Sequence, residues 1–118
     1  MHQSFSFELY KQLVVLEIKK PYHVMSQSML ETGNFHSQNF KDNHNLYGMK
    51  HSRRGYSLCA GNYGYAVYPH WTASVFDYRD WQQMRYKGGD YLHFLDSIHY
   101  AEDPMYTQKL KVILTTWD

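Results

Sequence analysis

The sequence predicts a mainly helical domain of about five helices with one small β-hairpin, and three observations predict it. Apolar residues recur at intervals near 3.6 in several stretches, as one face of a helix requires. Proline and glycine fall where those stretches begin and end. Alternating bulky residues flank a Gly61-Asn62 pair, the pattern of a short hairpin. With no linker, charge block or internal repeat in 118 residues, residues 1–118 are expected to form a single domain that folds without disulfides.

The first helix is expected over about Phe5 to Ile18, with Phe5, Leu9, Leu13 and Leu16 on one face. Lys19 and Lys20 close it at the negative end of its dipole. Pro21 suits the first turn of a second helix, where its missing N–H costs nothing. That helix should bury Val24, Met25, Met29 and Ser28, reach Glu31 or Thr32, and stop at Gly33-Asn34. From Asn34 to His51 the chain is polar and reads as a loop with one helical turn at Ser37 to Lys41. The hairpin follows between Gly55 and Tyr68, with Tyr63 and Tyr65 on one strand face and Cys59 as a small buried hydrophobe. Thr72 is expected to cap a helix bearing Val75, Tyr78 and Trp81, which Lys87-Gly88-Gly89 breaks. Asp90 caps a helix with Tyr91, Phe94, Leu95 and Ile98, and Asp103-Pro104 starts a last helix burying Tyr106, Leu110, Ile113 and Trp117.

Composition narrows the function. Twelve Tyr, six Phe and three Trp, against sparse Ile, Leu and Val, suit a protein that stacks aromatic faces on sugar rings, although each Tyr is equally well used in a core. A net charge of +1 with no long basic run argues against nucleic acid as a partner. Lys50, Arg53 and Arg54 form one local basic patch suited to an anionic polymer or to a solvated loop. The eight histidines are scattered, with no HExxH and no zinc-finger spacing, so no metal or cofactor is expected. Cys59 is the sole cysteine and has no partner for an internal disulfide. No apolar run approaches the ~20 residues of a membrane span, and the N-terminus is not of signal-peptide type.

The sharpest chemical signal lies in Gln27-Ser28-Met29-Leu30-Glu31-Thr32-Gly33-Asn34. Glu31 stands at a helix C-terminus with apolar residues before it, and both the dipole and partial burial favour its protonated form there. A glycosidase needs such a carboxyl to give a proton to the leaving oxygen.

The segment Gln27 to Gly33, followed by Asn43-His44-Asn45-Leu46-Tyr47-Gly48-Met49-Lys50, resembles the glucosaminidase domain of bacterial cell-wall hydrolases, glycoside hydrolase family 73. That family, which includes flagellar rod-cap hydrolases and many autolysins, has a helix ending (A/L)-L-E-(S/T)-G and a loop N-N-L-(F/Y)-G-(I/M)-K. The likeness continues from Tyr68 to Tyr78 and ends at Tyr100-Ala101-Glu102-Asp103-Pro104-Met105-Tyr106, similar to the family's Y-A-T-D-P-x-Y. Four motifs in the right order cover nearly the whole chain.

The resemblance implies a lysozyme-like fold and hydrolysis of the β-1,4 bond after N-acetylglucosamine in peptidoglycan. It makes Glu31 the general acid and places Tyr100 near it, where the hydroxyl positions the acetamido group or the water. Asn43, Asn45 and Tyr47 lie in the loop that shapes the cleft floor or its packing and are candidate substrate-binding residues, and Tyr63 and Tyr65 are candidates to stack on sugar rings. The expected partner is the glycan strand of the wall, met by a monomer. The site of action is then periplasmic or extracellular, reached through a phage, a secretion apparatus or a parent protein.

One departure matters. Many family members carry a second acid in the hairpin, and no Asp or Glu occurs here between Gly55 and His70. Three explanations follow: attack by the substrate's own 2-acetamido oxygen, which is preferred; a water activated by another acid, with Asp42 and Asp77 nearest in motif; or a module that mainly binds glycan. A muramidase or lytic transglycosylase acting on the other bond is a further alternative with the same single Glu.

Overall fold

The computed structural model describes residues 2–117, in which six α-helices surround one short hairpin. They are α1 (His2–Val15), α2 (Pro21–Glu31), α3 (Gln38–Asn43), α4 (Trp71–Arg85), α5 (Tyr91–Ser97) and α6 (Tyr106–Leu114), with β1 (Cys59–Ala60) and β2 (Ala66–Val67) between α3 and α4. The fold is thus mainly helical, as expected. The sixth helix is α3, which runs two residues past the expected Lys41 and is capped by Ser37, its hydroxyl accepting from the Phe40 N–H at 3.1 Å.

The chain leaves α1 earlier than Ile18. Glu17 and Lys20 take left-handed backbone angles, φ 56° and 58°, and the Ile18 N–H returns to the Leu13 carbonyl at 3.0 Å. This compact turn aims α2 inward, with Pro21 in its first turn as expected. Val24 to Ser28 are then all buried, so α2 is a central helix and not an amphipathic one. Its hydroxyls stay satisfied against their own helix: Ser26 donates to Tyr22 O at 2.9 Å and Ser28 to Met25 O at 2.6 Å. α2 packs between α1 and α6, and Leu9, Leu13, Val24, Met25, Val75, Leu95 and Leu110 fill the core with Tyr47, Tyr78 and Tyr91.

Several local expectations are corrected. α4 starts at Trp71 with His70 as its cap, because the His70 ring accepts from the Thr72 N–H; Thr72 lies inside the helix. Asp90 holds the cap position of α5 without a side-chain bond. Asp103-Pro104 forms a turn one step before α6, where Asp103 accepts from the Met105 N–H at 2.9 Å. Trp117 lies in a 3-10 turn after α6, its indole N–H donating to Ser26 Oγ at 3.0 Å. Cys59 is exposed, since its strand is too short to reach the core.

The hairpin is smaller than the alternation suggests. β1 and β2 pair antiparallel over Cys59–Val67 and Ala60–Ala66 only, and Asn62–Gly64 close them in a 3-10 turn. Tyr63 sits in that turn at φ 58° and is 88% exposed, so it does not share a strand face with Tyr65. A third segment supports the pair: Lys50 bridges to Tyr65, and the Ala66 N–H donates to Met49 O at 2.9 Å. The loop after α3 therefore runs along the hairpin and fixes it over the end of α2. None of the helices described is long and apolar enough to cross a membrane.

Candidate active site

Glu31 is the last residue of α2, half-buried, with its carboxyl facing the loop of residues 44–50. Gly48 is what lets it lie there. Its backbone is left-handed, φ +65°, and a β-carbon on it would stand 2.5 Å from Glu31 Oε1. A side chain at position 48 would thus push the Glu31 carboxyl aside.

Burial raises the Glu31 carboxyl from its ordinary range to about 7, against the opposing effect of a hydrogen bond with the Tyr106 phenol. Glu31 lines a cavity of about 270 Å³ with Gly48, Lys50, Tyr65, Tyr100 and Glu102. A wider groove of about 390 Å³ adjoins it, sharing Gly48, Lys50 and Tyr100 and adding Arg54, Trp81 and Arg85. The two form one open cleft across the carboxyl.

Tyr100 lies at their junction. Its hydroxyl donates to the Tyr47 carbonyl at 2.6 Å, and its ring stacks on Tyr106 at 5.7 Å and meets the Trp81 ring edge-on at 5.3 Å. Burial pushes the phenol well above its ordinary range, so it stays neutral. Its proton is given to the main chain, which leaves the oxygen only an acceptor's role. Tyr65 lines the cavity, but Lys50 Nζ sits 4.0 Å from its ring centre while donating to Tyr63 O at 2.7 Å. One face of Tyr65 is therefore covered by a cation and only the remainder is open.

The other sequence candidates lie behind the cleft. Asn45 is buried with its hydrogen-bonding capacity filled. Its amide donates to Met49 O at 2.9 Å and Ala66 O at 3.0 Å, and its oxygen accepts from the N–H groups of Tyr47 and Met49. It staples the loop to β2, and no polar atom is left for a sugar. Tyr47 is fully buried, its ring 4.5 Å from that of Tyr78, and only its carbonyl bears on the site, through Tyr100. Asn43 donates to Asn39 at 2.9 Å and backs Gly61 away from the cavity. Tyr63 reaches the site through its backbone oxygen alone.

Neither acid expected to stand in for the missing hairpin carboxylate lies in the cavity. Asp77 is buried under the hairpin, held by the Arg54 guanidinium and by the Tyr68 hydroxyl at 2.5 Å. Asp42 is exposed and accepts from Gln38 at 2.8 Å. Glu102 does line the cavity, and sequence reasoning missed it. The signal was present: in Tyr100-Ala101-Glu102-Asp103-Pro104 an acid stands where the family pattern has threonine. Tyr106 and Gln27, core and motif residues by their spacing, also lie beside the acid. Among the described residues no three His, Cys, Asp or Glu side chains converge as metal ligands.

A half-buried carboxyl held near neutrality in an open, tyrosine-lined groove is the equipment of a glycoside hydrolase. A family model described as glucosaminidase, mannosyl-glycoprotein endo-beta-N-acetylglucosaminidase, matches residues 10–118, and the chain belongs to that family. Among solved structures, the catalytic domain of the autolysin Auto from Listeria monocytogenes superposes with a TM-score of 0.71 at 23% identity, over 98% of this chain and 84% of that one. A search of curated protein sequences returns no match.

Proposed function

We propose that the protein is a peptidoglycan hydrolase, an endo-β-N-acetylglucosaminidase that cleaves the β-1,4 bond after N-acetylglucosamine with Glu31 as general acid. The observation that carries this reading is the Glu31 carboxyl, raised by burial to about 7 inside an open cleft. Membership of the glucosaminidase family supports the bond, and the likeness to an autolysin's catalytic domain supports the polymer. The cations along the groove, Lys50 and Arg85, suit the carboxylates of lactyl and peptide groups on such a strand.

In the first step the bond from the anomeric carbon to the leaving oxygen breaks, and that oxygen takes the Glu31 proton. The 2-acetamido oxygen forms the new bond to the anomeric carbon, giving an oxazolinium ion. Tyr100 assists by accepting a hydrogen bond from the acetamido N–H, the role left to its oxygen once its proton is given to Tyr47 O. Water then attacks the anomeric carbon, the ring C–O bond of the oxazolinium breaks, and the water's proton returns to Glu31. The configuration is retained.

A second reading is favoured by the place of Glu102 in the same cavity. There its carboxylate activates the water directly and the product is inverted. Proton NMR of the first-formed product decides between them: the β-anomer supports the acetamido route, and the α-anomer supports Glu102. Mass spectrometry of reduced muropeptides tests the bond. Reduced N-acetylglucosamine ends are expected, whereas reduced N-acetylmuramic acid or anhydro ends would overturn the assignment.

A further inference from the structure

The cleft across Glu31 is charged in opposite senses at its two ends, with Lys50 between them. The cavity that holds Glu31 is also lined by Glu102. The groove along α4 is lined by Lys50, Arg54 and Arg85 and, among the described residues, by no acid. Two of these three cations are already committed. Arg54 is paired with the buried Asp77, and Lys50 donates to Tyr63 O at 2.7 Å while lying 4.0 Å from the Tyr65 ring centre. Arg85 is exposed and makes no hydrogen bond or ion pair with any described residue.

The place of Arg85 on α4 fixes what lies beside it. It is the last residue of that helix and stands one turn after Trp81, so both side chains line the groove. The Trp81 ring is packed against Tyr78 at 5.2 Å, Phe94 at 5.8 Å and, edge-on, Tyr100 at 5.3 Å, which holds it rigid. Tyr100 lines both cavities, so a sugar seated against Trp81 adjoins the one whose bond faces Glu31. A cation at a helix C-terminus also suits the helix dipole, but that role does not require the side chain to lie in a groove.

We infer that Arg85 sets substrate specificity: its guanidinium binds a carboxylate carried by the sugar beside the scissile bond, while Trp81 seats the ring of that sugar. The inference deepens the reading of the substrate as peptidoglycan and rests on it. In such a strand every second sugar carries a lactyl ether that ends in a carboxylate or in a peptide bearing carboxylates. Polymers of N-acetylglucosamine alone are neutral. The planar guanidinium fork matches a carboxylate with two parallel hydrogen bonds, and a groove without acids offers it no internal competitor. Selection for acidic strands over neutral ones therefore resides on α4 and not at the acid.

Arg85→Gln and Arg85→Lys test it, and thermal melting checks that both variants remain folded. Each change is placed in the Glu31→Gln background, where binding of soluble glycan strands is titrated calorimetrically without turnover. The strands either keep their peptides or are stripped to free lactyl groups, and each kind is compared with a copy whose carboxyls have been amidated. With Arg85 present, amidation is expected to weaken binding by about ten-fold, the loss of one charge-assisted pair. Arg85→Gln should bind the acidic strands about ten-fold more weakly and respond to amidation by less than about two-fold. Arg85→Lys, which keeps the charge and loses the fork, should lie between the two. A loss seen on stripped strands assigns the lactyl carboxylate, and a loss confined to peptide-bearing strands assigns a carboxylate of the peptide. Unweakened binding of both kinds of acidic strand by Arg85→Gln overturns the inference, and so does an undiminished response to amidation. The readout is a ratio of affinities and needs no cleavage. Its failure is thus separable from that of the hydrolase reading, which muropeptide ends and clearing by Glu31→Gln test.

Discussion

The Glu31 carboxyl lies against the backbone of Gly48, so close that a β-carbon there would stand 2.5 Å from Oε1. A side chain at position 48 would have to push this carboxyl aside, so the glycine bears directly on where the acid lies.

Gly48→Ala is therefore expected to harm activity more than stability. The left-handed backbone at φ +65° costs a non-glycine residue about 1 kcal/mol. Displacing the carboxyl by even 1 Å lowers kcat by about 100-fold. Denaturant melts and wall-clearing rates measure the two effects; a loss of stability with normal kcat would mean that the contact does not place the acid.

The raised Glu31 pKa has a definite sign in stability. The folded protein holds this proton up to about 7, the unfolded chain only to about 4.5, so between those values folding binds a proton. Stability falls as pH rises through that window, by roughly 2–3 kcal/mol after allowing for partial exposure. Glu31→Gln should accordingly melt higher than wild type at pH 8 and alike at pH 4. Equal melting at pH 8 would show that the carboxyl is not held in a neutral state by burial.

For the second acid, Glu102→Gln separates the two chemical routes. If the acetamido oxygen attacks, the variant keeps kcat within a few-fold of wild type. A fall of about 100-fold or more, with unchanged melting, assigns Glu102 as the base.

Asn45→Ala is expected to cost about 3 kcal/mol, because it strands buried carbonyls of Met49 and Ala66 and two N–H groups. Thermal melting measures it. Near-neutral stability with impaired glycan binding would return Asn45 to the substrate-contacting role it was expected to have.

Arg54→Ala should also destabilise, by about 3 kcal/mol, since it leaves the buried Asp77 carboxylate with Tyr68 alone. Adding Asp77→Asn should restore part of that loss. A double-mutant cycle with no coupling would contradict the pairing.

Much of this was legible because it rests on local rules. Pro21 and Gly33 bracket α2, and the position of Glu31 follows from that helix's end. The short-range features that failed did so because tertiary partners decided them. Cys59 and Tyr63 lie in a hairpin whose strands are two residues long, so alternation could not tell which face they meet. Asn45 carries a motif position as well suited to a staple as to a sugar contact, and only its four bonds distinguish the two. Tyr106 and Gln82 are 24 residues apart, and Lys19 is farther still. No spacing rule joins them, and their connection through Tyr91, Tyr78 and Gln27 appears only once α2, α4, α5 and α6 are packed.

The central claim is that Glu31 is the acid that breaks the glycan. Clearing of purified cell walls by Glu31→Gln, with wall binding and melting measured on the same preparation, tests it most directly. The predicted result is a folded variant that binds wall and clears none of it, while clearing by the wild type declines as pH rises through about 7. Clearing by Glu31→Gln at the wild-type rate would contradict the account.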